Sequence, residues 1–385
     1  MTLTSSHVSS EEMVLLPGKR VERSGVVTWS ASLRGPRTVS AFVEHAATRG
    51  RHRPTARPWL LAFLPIAMRS GRSRLVVDGP VDAGTIANLM EWQELHHHWW
   101  PKSTCVVEIR ADVVDEPRVP RRAGAVTCFS GGVDSAFTLL RHAPGAADGP
   151  YRRTRLAAGL MVHGFDMSHR DDVWFPGAWE RTARMLRAHG VDPLWLRTDL
   201  RREGRSAGLG WGKVAHGPAL AAALAFVEQA HDVTLIPSTY PYRHGTKWGS
   251  TPLADPLLGS GARPLWHDGA AHDKLDKILA IAHDPAVAAD LRVCFVGGQH
   301  DRNCGTCFKC LATQAGFWLA GVDAPAAFPR RATLEEVSEI ELKDPYKVAL
   351  GRHVVREARR RERADVERAV MTALDRVGAT ARTDA

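Results

Sequence analysis

Two stretches of this 385-residue chain carry residue types whose spacing could do chemistry. The first is Phe129-Ser130-Gly131-Gly132-Val133-Asp134-Ser135. Its glycines let the backbone turn tightly and approach a ligand closely. Ser130 can cap a helix that follows, and free N–H groups behind such a turn form an anion site. Asp134 is the odd member, because a carboxylate repels phosphate. It fits if it holds a Mg²⁺ that neutralises the phosphates. The second stretch gathers Cys294, Cys304, Cys307 and Cys310, four of the six cysteines, within 17 residues. In a cytosolic chain such a cluster reads as metal before disulfide. A structural zinc takes four tetrahedral thiolates, and two-residue spacers let one turn supply three of them, with Gly305 easing that turn. Closely spaced cysteines also suit an iron–sulfur cluster, which is the rival reading. Cys105 and Cys128 stand apart.

The elements around the glycine loop alternate. Apolar runs at 124–129, 156–162, 193–197 and 233–236 are separated by helical segments at 134–141, 178–188 and 218–230. Runs of that length between helices predict a parallel sheet covered on both faces. Earlier residues mix strand-like runs (26–30, 74–77, 105–110) with Pro/Arg-rich loops such as 51–58. An amphipathic helix is expected over 82–99, after the turn at Gly79-Pro80, and a basic linker over 118–122. Residues 333–377 read as helical and highly charged, with 356–363 a solvated face.

At 44% hydrophobic and 24% charged residues, the composition excludes a disordered chain, a collagen-like fibre and a disulfide-dense mini-protein. No apolar run approaches the roughly 18 residues of a membrane span. The N-terminal stretch lacks the basic flank and apolar core of a secretory signal, so a cytoplasmic location is expected. A net charge of +9 suits polyanionic partners such as nucleotides, nucleotide-sugars or RNA. A compositional preference for Arg over Lys explains it equally well.

Ser130-Gly131-Gly132-Val133-Asp134-Ser135 after an apolar strand resembles the PP-loop of the ATP pyrophosphatases, the adenine-nucleotide alpha-hydrolase-like superfamily, and differs from a kinase-type P-loop. The resemblance covers roughly residues 122–325. It implies an α/β fold with a doubly wound, mainly parallel sheet. It also implies Mg²⁺-ATP held by Ser130, Gly131, Gly132, Val133, Asp134 and Ser135, and attack at the α-phosphorus with pyrophosphate released. Leu160-Met161-Val162-His163-Gly164-Phe165-Asp166 resembles the end of the second strand, which places Val162 and His163 at the adenine pocket. Asp273-Lys274-Leu275-Asp276-Lys277-Ile278 resembles the family's Thr-Lys-x-Glu-Ile segment. It makes Lys274 catalytic with Asp134 and Ser135, reaching toward the leaving pyrophosphate. The cysteine segment resembles the zinc knuckle of the 7-cyano-7-deazaguanine synthases, which makes the metal a structural zinc. The implied division is an N-terminal α+β accessory domain (1–120), an ATP-binding domain (121–290), the knuckle (291–325) and a helical segment (326–385).

Departures from that pattern concern the substrate. Ala215-His216-Gly217-Pro218 stands where relatives often carry Gly-Arg-Asn. The loop 237–250 replaces an Asp-rich substrate loop and places Arg243, His244 and Lys247 among aromatics, while Trp266-His267-Asp268-Gly269 adds a polar turn. These residues fit an anionic or sugar-bearing substrate, with Arg243, His244, Lys247 and His267 as its expected contacts. The leading expectation is an AMP-forming enzyme that adenylates a carboxylate or amide oxygen for amide or nitrile formation. The alternatives are an ATP-dependent epimerase of a UDP-muramoyl dipeptide glutamate, a tRNA-modifying PP-loop enzyme and a non-enzymatic nucleotide sensor. A homo-oligomer is expected.

Overall fold

The computed structural model describes residues 10–46, 55–115, 124–146, 152–245 and 247–383, with side chains to 377. The expected basic linker at 118–122 lies outside the described residues, as do 1–9 and the 51–54 part of the Pro/Arg-rich loop.

Eleven strands of the described residues form one sheet. The first six are β1 (Glu12–Pro17), β2 (Val21–Arg23), β3 (Val26–Arg34), β4 (Val39–Ala46), β5 (Arg74–Asp82) and β6 (Glu108–Val114). The remaining five are β7 (Ala125–Cys128), β8 (Leu156–His163), β9 (Asp192–Thr198), β10 (Val233–Pro237) and β11 (Leu265–Asp268). These last five are all parallel, in the order β11-β10-β7-β8-β9. Counted along the chain, that is fifth, fourth, first, second, third. The order reverses between β7 and β10, and open α/β sheets of this kind bind ligands beyond the strand C-termini at such a switch point. Every residue of β7 is buried, as a strand covered on both faces requires.

The earlier strands extend the same sheet. β4 pairs antiparallel with β9, with Val43 opposite Thr198 and His45 opposite Leu196. One apolar core runs continuously from Leu15 and Leu33 to Leu196 and Ala222.

The helices before the cysteine cluster are α1 (Arg57–Arg69), α2 (Ala83–Trp99), α3 (Val133–His142), α4 (Phe175–Ala188), α5 (Leu200–Ser206), α6 (His216–Ala225), α7 (Lys274–Ile281) and α8 (Pro285–Asp290). After it come α9 (Phe308–Leu319), α10 (Leu334–Ser338), α11 (Pro345–Arg360) and α12 (Ala364–Thr383). α2 starts one residue later than the expected 82–99, because Asp82 is its N-cap and accepts the Thr85 N–H at 2.8 Å. The strand expected at 105–110 begins only at Glu108, since the Cys105 N–H is spent on Met68 O instead.

α1 is the clear departure from the sequence reading, which placed 51–58 in a loop. Pro58 occupies the first turn, where a helix loses no hydrogen bond to a missing N–H. The run after it buries Trp59, Leu60, Leu61, Phe63 and Leu64, and the helix packs on α6. Buried Arg57 clamps it there: both Glu228 carboxylate oxygens accept from its guanidinium at 2.7 Å, and Leu258 O accepts at 2.9 Å.

Candidate active site

β7 ends at Cys128, and the Phe129 N–H still reaches Leu160 O of β8 at 2.8 Å. The chain then turns at Gly131, whose φ of +75° lies in the left-handed region that favours glycine. A Cβ there would stand 3.1 Å from Thr182 Oγ1 of α4. α3 begins with Gly132 as its N-cap, and no side chain caps it. The expected Ser130 cap is therefore not made. Ser130 Oγ instead accepts the Gly132 N–H, at 3.4 Å, because the turn at Gly131 carries Ser130 off the helix end. Ser135 Oγ donates back to Gly132 O at 3.0 Å. The first-turn N–H groups of a helix have no intrahelical acceptor, so an uncapped start leaves a positive end open to a ligand.

A cavity of about 590 Å³ opens at this point. Ser130, Gly132, Val133, Asp134 and Ser135 border it, with Val162 at the end of β8 and Lys274 at the start of α7. Gly131 makes the turn without bordering the cavity. The structure thus brings together the loop, Val162 and Lys274, which the sequence places 140 residues from Asp134.

Asp134 is held between two lysines. Lys274 Nζ donates to its Oδ2 at 2.6 Å and Lys277 Nζ to its Oδ1 at 3.2 Å. Lys277 is 1% exposed and also donates to Ser238 O, just past β10. Burial alone would raise the carboxyl's pKa, but the two ammonium groups outweigh it and the net shift is downward. Lys277 is shifted the other way: burial lowers its pKa, and Asp134 only partly restores it.

The remaining expected site residues lie elsewhere. His163 is buried with its ring stacked on Phe175, centroids 4.0 Å apart, and burial lowers its pKa. The His267 side chain is buried beside Asp255, with Nδ1 2.6 Å from Oδ2. The same carboxylate accepts from Ser250 Oγ and the Thr251 N–H, so this group holds the end of loop 237–250 in place. Arg243 pairs with Asp273, the N-cap of α7, and His244 packs edge-on to Tyr346. Lys247 is exposed. None of these five borders the cavity.

Other residues do. Tyr240 and Trp248 of loop 237–250 reach the cavity and pack edge-to-face, centroids 5.7 Å apart. Gly212 makes room for Trp248, since a Cβ there would fall 2.2 Å from its ring. Lys309 from α9, and Tyr346 and Lys347 from α11, form the opposite wall. The aromatic richness of 237–250 was a usable signal for Tyr240 and Trp248. Nothing in the sequence marked Tyr346 and Lys347, because only the docking of α11 brings them to the cavity.

The four clustered cysteines converge, with all four sulfurs within 4.8 Å of one another. Cys310 Sγ lies 3.4 Å from Cys294 Sγ and 3.8 Å from Cys304 Sγ. A tetrahedral site with metal–sulfur bonds near 2.3 Å requires sulfurs about 3.8 Å apart. The donor set therefore fits a thiophilic ion such as zinc. The N–H groups of Cys304 and Cys307 point at Cys294 and Cys304 sulfurs, each at 3.3 Å. Gly305 has φ +80°, and a Cβ there would meet Arg330 Cβ at 2.7 Å. Asn303 closes the knuckle, accepting from the Val293 N–H and donating to Leu291 O and Ala327 O. The knuckle also forms a cavity wall through Arg292, Val293, Phe295 and Phe308.

Comparison with protein-family models, with characterised proteins and with solved structures finds no match to this chain. Among the described residues, no helix is long and apolar enough to cross a membrane.

The lysine clamp sets a pH signature. A carboxylate whose folded pKa is depressed adds stability above the unfolded value, near 3.9, and loses it as pH falls through the folded value. Asp134→Asn should cost about 3 kcal/mol at pH 7, because it strands buried Lys277. Urea denaturation should show that cost shrinking below pH 4. A gap that persists there would contradict the clamp.

Proposed function

We propose that the chain is an ATP-dependent, AMP-forming enzyme that adenylates a carboxylate or amide oxygen of an anionic small molecule. The observation that carries this reading is the uncapped N-terminus of α3 at the sheet's switch point, with a clamped carboxylate in its first turn. Strand ends and backbone N–H groups there suit a polyphosphate. A lone carboxylate in such a place would only repel it.

Mg²⁺ enters with the nucleotide and supplies charge neutralisation; Asp134 is the residue suited to hold it. Lys274 is placed to leave Asp134 for the β- and γ-phosphoryl oxygens. Val162 and neighbouring residues at the end of β8 form the apolar side on which an adenine would lie. In the reaction, an oxygen of the substrate carboxylate attacks the α-phosphorus, and the bond to the bridging oxygen breaks. Pyrophosphate leaves with that electron pair. An amine can then attack the acyl adenylate to give an amide and AMP. Fixed donors around the phosphorus, namely the first-turn N–H groups and Lys274, supply the electrostatic stabilisation.

The metal in the knuckle is zinc on this reading, and it is structural. Four protein thiolates leave no open position for a catalytic water.

Incubation of the protein with Mg-ATP and a panel of carboxylates, with and without amines, should release pyrophosphate with at least one of them. Asp134→Asn should lower that rate by at least about 100-fold while still melting cooperatively. Normal turnover by that variant would remove Asp134 from the mechanism. Elemental analysis should find about one zinc per chain, lost in Cys310→Ser together with several degrees of melting temperature. Iron with acid-labile sulfide would contradict the zinc reading.

A further inference from the structure

The segment that leads into the cysteine cluster, Leu291-Arg292-Val293-Cys294, also touches the glycine loop. The Arg292 N–H donates to Gly131 O at 2.8 Å. Its guanidinium donates to Ser130 O at 3.2 Å and to His300 O at 3.5 Å. Arg292 is 5% exposed, yet it borders the cavity. Its Nε has no hydrogen-bond partner among the described residues.

A buried guanidinium normally has a carboxylate to itself. Arg57, with both oxygens of Glu228 at 2.7 Å, shows what such a pair looks like in this protein. Around Arg292, the one carboxylate within 4.0 Å among the described residues is Asp166, at that limit and with a side chain 39% exposed. Asp134 is already committed to two lysines. Among the described residues, Lys274 and Lys277 thus share Asp134, and Arg292 has only Asp166, at 4.0 Å. α3, a helix of ten residues with an uncapped N-terminus, adds its own positive end to the same wall.

We infer that Arg292 is an anion-binding residue of this cavity, pairing with phosphoryl oxygens held at the start of α3. The sequence motif does not contain it, and its place two residues before Cys294 ties phosphate binding to the folded knuckle. A guanidinium offers a planar fork that matches two phosphoryl oxygens. The ligand class is a phosphorylated compound. Its assignment to a nucleoside triphosphate rests on the function proposed above.

Isothermal titration of the full chain with Mg-ATP, inorganic pyrophosphate and adenosine separates the possibilities. Arg292→Gln should weaken ATP and pyrophosphate about tenfold to a hundredfold and leave adenosine unchanged. If all three weaken alike, Arg292 only braces the loop and the inference fails. It also fails if none weakens. Should Arg292→Gln not fold, Arg292→Lys keeps the charge without the fork and is expected to show the same pattern at reduced size. Wild type that binds pyrophosphate but no ATP would overturn the nucleotide reading and leave the anion site standing. Wild type with affinity for neither anion would overturn both.

Discussion

A carboxylate held between two ammonium groups organises this molecule. Asp134 comes from the first turn of α3, Lys274 and Lys277 from the first turn of α7, and Lys277 also reaches the backbone past β10 at Ser238. Three elements far apart in sequence are thereby locked at the point where the sheet reverses its order. Neither Asp134 nor Lys277 would keep its charge there alone. A half-buried carboxylate would take up a proton, and a lysine 1% exposed would lose one. Together they keep their charges in a place where water is scarce, which is also where a charged ligand gains most from fixed charges.

The cysteine knuckle builds the facing wall, and it does so through the backbone as much as through its side chains. The chain entering it hydrogen-bonds the glycine turn at Gly131, and the helix leaving it, α9, carries Phe308 and Lys309 to the cavity. A metal that fastens Cys294 to Cys310 would fix both ends of that wall at once. Such a metal would act structurally: four sulfurs would set the spacing of cavity residues they never touch. Loop 237–250 closes a third side, anchored at its end by Asp255 with His267 and in its middle by Arg243 on Asp273.

Much of this was legible in the sequence wherever the signal is local. The glycine turn, the cysteine spacing and the alternation of apolar runs with helices each depend on neighbours a few residues away. The strands and helices expected from 124 to 236 overlap β7 to β10 and the helices between them, although α6 stops at Ala225 and β11 stands where a polar turn was expected at 266–269. α1 was hidden because Arg57-Pro58 reads as loop chemistry, whereas the fold uses Pro58 in the first turn, where its missing N–H costs no helical bond, and carries Pro65 in the helix interior. Two other expected residues find partners within the fold. Arg243 and His267 have the charge and polarity of ligand contacts, yet the fold spends them on Asp273 and Asp255. Conversely, Arg292, Tyr346 and Lys347 look like ordinary residues of a linker and a charged helix. Only long-range packing gives them a cavity to face, and no spacing rule reports that.

On the proposed function, a nucleotide's phosphates sit on the first turn of α3. A crystal structure of the chain soaked with Mg²⁺ and an ATP analogue with a non-hydrolysable α,β-bridge tests it most directly. The account requires the phosphoryl groups to lie against the N–H groups of residues 132–135, with Lys274 turned from Asp134 toward them. Phosphates bound anywhere else, with Asp134 still clamped by both lysines, would contradict it.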